Sequence, residues 1–166
     1  MKSGIRFTKI WADEDMLELR VEVCDGRSLF MNQIYVGHQL LADTVSGLHR
    51  FKGQIYGGLF NLRFGEFGPE YASGALDVRL HFRKHGKLLI RVLAQSQFRC
   101  FEDRELSSDA TLHLVSEPAL LDNFVVGLRA LRPRRITRFW TSAVNLKHDL
   151  ACLGAMTTRF LIATRT

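Results

Sequence analysis

A chain of 166 residues with 46% hydrophobic and 24% charged side chains can bury a single globular core, which excludes a disordered or low-complexity class. The net charge of +6 is unevenly placed: residues 1–131 carry sixteen basic and sixteen acidic side chains, whereas residues 132–166 carry seven basic ones and Asp149 as their single acid. The body is therefore neutral and feels little long-range pull towards phosphate, so any nucleic-acid attraction is confined to the tail.

This asymmetry divides the chain near Leu131 into an α+β domain over residues 1–131 and a basic C-terminal extension over residues 132–166. Cys24, Cys100 and Cys152 are widely spaced and form no CxxC pair, so they read as free thiols of a reducing compartment rather than a disulfide scaffold or a zinc site. The opening Met1 to Ile10 alternates charged and apolar residues without the apolar core of a leader, and no transmembrane run of about 18 apolar residues occurs. A cytoplasmic protein is the expectation.

In chain order, Ile5 to Ala12 reads as a first strand. Leu17, Leu19, Val21 and Val23 alternate with Glu18, Arg20 and Glu22, the period of a strand with one buried and one wet face. Asp25-Gly26 then suits a type I′ turn into a second extended run, Leu29 to Val36. Leu41, Val45 and Leu48 recur at helical spacing, Leu40 and Phe51 widen that stripe, and Gly53 is placed to end the helix. Gly47 inside it costs about 1 kcal/mol relative to alanine.

Strands resume at Leu59 to Phe64. The stretch Gly65 to Gly74 is a loop by its glycines and proline. Leu76, Val78, Leu80 and Phe82 then alternate with Asp77, Arg79, His81 and Arg83. His85-Gly86 turns the chain into Leu88 to Ala94, which is apolar on both faces and so central or covered by a helix. Residues 96–108 read as an exposed polar loop, and Thr111 to Val115 as the last strand. Ser116 is suited to an N-cap, with Glu117 and Pro118 in the first turn of a helix carrying Leu121, Phe124, Val125, Leu128 and Leu131. The fold expected is thus α+β: one antiparallel sheet of about six to seven strands with two amphipathic helices on one face, plus the basic tail. The tail reads either as one helix from about Ser142 to Met156, with Ala143, Leu146, Leu150 and Leu153 on one side, or as a partly disordered appendage.

Three groups of residues invite a functional reading. Asp77, Arg79, His81 and Arg83 fall side by side on one strand face, with His113 able to join them if its strand lies near. They form a polar binding surface or an ordinary solvated one. Glu66 and Glu70 sit in the Gly65 to Gly74 loop, where a carboxylate pair can serve catalysis or hard metals, though a tight connection explains the same composition. In the tail, Arg132, Arg134, Arg135 and Arg138 with Phe139 and Trp140 suit phosphates and stacked bases, or an anionic membrane surface. No G-x-S-x-G elbow is present, and the histidines are scattered, so neither a nucleophile nor a metal or other cofactor is expected.

The alternating opening Asp13-Glu14-Asp15-Met16-Leu17-Glu18-Leu19-Arg20-Val21, Tyr35-Val36 before the first helix, the Gly65 to Gly74 loop and the ending Glu117-Pro118-Ala119-Leu120-Leu121-Asp122-Asn123-Phe124 together resemble a group of small bacterial proteins of unknown function. That group is similar in size and pattern to single-domain immunity-type proteins. The resemblance spans Trp11 to Leu131 and implies a fold and a protein partner, not an activity. The expectation is a non-enzymatic protein-binding module using the open sheet face and the 65–74 loop. Its rivals are nucleic-acid or anionic-surface binding through the tail, and an enzyme using His81 with Glu66 or Asp77.

Overall fold

Alternation of apolar and polar side chains builds the first sheet directly. In the computed structural model, which describes residues 2–71, 73–83, 86–131 and 160–161, β1 (Gly4–Ala12), β2 (Met16–Cys24) and β3 (Leu29–Gly37) form an antiparallel meander. Leu17, Leu19, Val21 and Val23 are fully buried, and the register sets them opposite Val36, Ile34, Asn32 and Phe30 on the core side. The β2–β3 connection is not the two-residue turn that Asp25-Gly26 suggests. Pairing ends at Cys24 opposite Leu29, leaving a four-residue loop. The Asp25 carboxylate closes it by accepting the N–H groups of Ser28 at 2.6 Å and Arg27 at 2.8 Å, and Gly26 supplies a φ of +99°. These bonds hold the Asp25 carboxyl below the usual carboxylate range. Asp13 does the same between β1 and β2, where the N–H groups of Met16 and Asp15 lower its carboxyl.

Helix α1 (His38–Phe51) buries Leu41, Val45, Leu48 and Phe51, whereas Leu40 is exposed and does not widen the stripe. The helix ends on Lys52 in ordinary right-handed geometry, and Gly53 follows it in the C′ position expected of it, without a left-handed φ. Gly47 has a packing reason: a Cβ there would lie 2.6 Å from the Phe60 ring.

The chain then starts a second sheet, β4 (Leu59–Phe64), β5 (Ala75–Phe82), β6 (Leu88–Gln95) and β9 (Asp109–Ser116), antiparallel throughout in that spatial order. The single sheet of six to seven strands is therefore corrected to two core sheets, with a third, two-stranded one between the last two strands of the second. Hairpin turns dictate local pairing, but α1 separates β3 from β4, and no sequence signal says whether two strands divided by a helix lie side by side. The sheets meet at β3 instead: Asn32, only 7% exposed, donates its amide to the carbonyls of Ala75 at 3.1 Å and Gln95 at 2.9 Å, and the Gly74 N–H donates to the Gln33 carbonyl at 3.0 Å.

Between β6 and β9, the expected loop contains a small hairpin, β7 (Arg99–Phe101) and β8 (Arg104–Leu106), all of whose residues are exposed. Ser116 proves to be the buried last residue of β9. The N-cap position of α2 (Pro118–Ala130) is Glu117, without a side-chain capping bond. The dipeptide Phe160–Leu161 forms β10, which pairs with Arg6 and Phe7 of β1 and makes the first sheet four-stranded. The helix expected over Ser142–Met156 and the residues Arg132, Arg134, Arg135, Arg138, Phe139 and Trp140 lie outside the described residues.

One core joins both sheets and both helices. Phe7 of β1 meets Phe64 of β4 edge-on at 6.0 Å and lies 5.7 Å from Phe124 of α2. Phe51 of α1 stacks on Phe82 of β5 at 4.9 Å. Each such buried ring contributes roughly 1.5–3 kcal/mol by removal from water. Among the described residues no helix is long and apolar enough to cross a membrane.

Candidate functional site

The inner face of the second sheet is dry because every even-numbered residue from Leu76 to Phe82 packs into the core. Period two then obliges Asp77, Arg79 and His81 to share the opposite face, which neither helix among the described residues covers. Arg83 lies just past the end of β5, exposed, where its N–H donates to the Lys87 carbonyl at 2.8 Å.

Register turns this face into a grid. One row crosses the strands as Leu59, His81, Leu89 and Val115. The next runs Asn61, Arg79, Arg91 and His113, and the third Arg63, Asp77, Leu93 and Thr111. His113 does join the face, two strands from Arg79. Arg79 stands directly opposite Arg91, and among the described residues neither has a carboxylate within ion-pair distance. A shallow depression of about 330 Å³ lies here, lined by Arg79, His81, Leu89, Arg91, His113 and Val115 among others. Chemically it offers two guanidinium forks and two imidazoles around an apolar floor, a set suited to carboxylates.

The acid–base pairings with His81 are not assembled. Asp77 is four residues from His81 on the same strand, about 13 Å along it, and its cross-strand neighbours are Arg63 and Leu93. Glu66 accepts a bond from Arg63 at 2.6 Å, and Arg63 also lies 5.3 Å from the centroid of the Phe67 ring. The loop holding Glu66 and Glu70 is pinned to the sheet end. Gly65 takes a φ of +69°, the Gly68 N–H donates to Gln95 Oε1 at 2.9 Å, and a Cβ on Gly74 would fall 2.6 Å from the Gln95 carbonyl oxygen. Gly65 and Gly74 thus answer to close backbone approach. Glu70 is exposed, and among the described residues no group of three or more His, Cys, Asp or Glu could hold a metal ion.

A second concavity escaped the sequence reading altogether. A cleft of about 1000 Å³ separates β3 from the β7–β8 hairpin, with Arg20, Met31 and Gln33 on one wall and Arg99, Phe101 and Leu106 on the other. The available signal was Phe101 and Leu106, two of the three large apolar residues in a mostly polar connection, which are 67% and 53% exposed.

The molecule is thus an α+β domain of two antiparallel sheets sharing one core, with a basic open face and an edge cleft. Comparison with protein-family models, with curated proteins and with solved structures finds no match.

Proposed function

We propose that this chain is a non-enzymatic protein-binding module, immunity-like in size and pattern, which docks an acidic surface of its partner onto the outer face of the second sheet. The observation that carries the proposal is Arg79 facing Arg91 without a carboxylate among the described residues. Like charges directly opposite on a sheet destabilise it, so a partner carboxylate between the two guanidinium groups would relieve repulsion and gain bidentate hydrogen bonds. His81 and His113 extend the same basic band, and Leu89 and Val115 supply apolar contact. The face is formed by paired strands, and both helices among the described residues bury their apolar sides in the core beneath it, so little backbone ordering attends docking.

Parallel affinity capture with the native chain and an Arg79→Glu/Arg91→Glu variant tests this reading. An acidic protein retained by the first, lost by the second and reconstituted from purified components supports it. Identical recoveries from both would end it.

The concentration of the net +6 beyond Leu131 favours a second reading, salt-sensitive nucleic-acid or anionic-surface binding through Arg132, Arg134, Arg135 and Arg138. Converting those four arginines to glutamine should then abolish salt-dependent retention on heparin, whereas the Arg79→Glu/Arg91→Glu variant should leave it largely intact.

A further inference from the structure

An antiparallel ladder alternates, so a few bonds settle which way every backbone group of β3 points. The His38 N–H donates to the Asp15 carbonyl at 3.1 Å at one end of the β2–β3 pair, and the Asp25 N–H to the Ser28 carbonyl at 3.2 Å at the other. Both place the odd-numbered residues of β2 in hydrogen-bonded pairs, with Phe30, Asn32, Ile34 and Val36 as their partners. Leu29, Met31, Gln33 and Tyr35 therefore aim their N–H and C=O groups away from β2. The bond from the Gly74 N–H to the Gln33 carbonyl agrees. Among the described residues, that carbonyl is the one group on this edge with a backbone partner.

The cleft lies along this edge. It is lined by Phe30 and Asn32 from the inner face of β3 and by Met31 and Gln33 from the outer face. Residues of both faces can border one cavity only where the cavity lies along the strand's edge. Met31 is 57% exposed, and the far wall presents Phe101 and Leu106. The charged residues lining the cleft are Arg20 and Arg99, both cationic, and neither has a carboxylate within ion-pair distance among the described residues.

We propose that the open edge of β3 receives an extended acidic peptide segment of a partner protein by strand addition. Leu29, Met31 and the Gln33 N–H supply main-chain hydrogen bonds, Phe101 and Leu106 give apolar contact, and the acidic side chains of the peptide lie between Arg20 on one wall and Arg99 on the other. This site lies on the other sheet from the Arg79–Arg91 face and does not depend on it.

The test is an NMR titration of the isotope-labelled full chain with an octapeptide of alternating glutamate and valine, against a counterpart of alternating lysine and valine. The expected result is amide shifts at Met31, Gln33 and residues 96–108, slowed exchange at the Met31 and Gln33 amides, and at least tenfold tighter binding of the acidic peptide. Met31→Pro should abolish binding while leaving the ladder to β2 intact, because the N–H it removes points off the sheet. Arg99→Glu, an exposed substitution that decides the matter should the proline variant misfold, should reverse the preference between the two peptides. Absence of shifts with either peptide, or shifts confined to the second sheet, overturns the proposal. So does exchange protection of Met31 and Gln33 in the free monomer, which would mean the chain covers its own edge. Protection that grows with protein concentration also overturns it, by assigning the edge to a second copy.

Discussion

Asn32 donates to the Gln95 carbonyl at 2.9 Å across the seam between the two sheets, and the same amide reaches the Ala75 carbonyl at 3.1 Å. A polar side chain on the core face of β3 is thus the main stitch between halves that share no ladder. Asn32→Ala leaves two carbonyls at the seam without their donor and should cost about 2 kcal/mol. Urea denaturation should show a lower midpoint at unchanged slope. Asn32→Asp should be worse at neutral pH, because a carboxylate would then face two carbonyl oxygens. A loss below about 0.5 kcal/mol for both variants would remove Asn32 from this role.

Gly47 presents the opposite sign to the one helix propensity suggests. Gly47→Ala gains about 1 kcal/mol of propensity, yet its Cβ would press on the Phe60 ring, which packs against Phe51 at 5.7 Å. Overpacking of this kind costs about 1–3 kcal/mol, so the variant should be destabilised on balance. In a Phe60→Leu background the same change should stabilise, and a double-mutant cycle reads the coupling. Additive effects would show that the ring yields without cost.

Acidification should loosen both β-turns of the first sheet. The Asp13 and Asp25 carboxyls are held below their ordinary value of 3.8 by backbone N–H bonds. A depressed folded value means that the stabilisation is complete above the unfolded value and disappears as pH falls through the lowered one. Carboxyl titration by NMR should place both midpoints below 3.8. Asp13→Asn and Asp25→Asn, which keep an acceptor oxygen without the charge, should each flatten the stability profile as pH falls below 3.8. Midpoints at or above the ordinary value would contradict the turn geometry.

Relieving the Arg79–Arg91 opposition should separate stability from binding. Arg91→Glu converts a like-charge cross-strand pair into an opposite one and should raise stability by about 0.5 kcal/mol at low salt. The gain should shrink as salt is added. If the face docks an acidic partner, this more stable variant binds it less well. A variant that is both less stable and equally competent would argue that the two guanidinium groups do not oppose each other in solution.

Much of the architecture is local and was therefore legible in the residues. Period-two patterning in Leu17 to Val23 and Leu76 to Phe82 dictates two strands with their dry sides, and the stripe from Leu121 to Leu131 dictates α2, because a side chain's face follows from its position in a regular backbone. The same rule places Asp77, Arg79 and His81 on the wet side. What the tertiary structure alone decided is non-local: that α1 divides the strands into two sheets, that Arg79 meets Arg91 and His113 falls in the same row, and that β3 is an edge strand among the described residues, beside the β7–β8 hairpin. Register and sheet membership arise from contacts between residues far apart in the chain, through Asn32 on Gln95, Gly47 beneath Phe60 and Phe7 against Phe64. A linear pattern of apolar and polar residues carries no term for which distant partner fills each space.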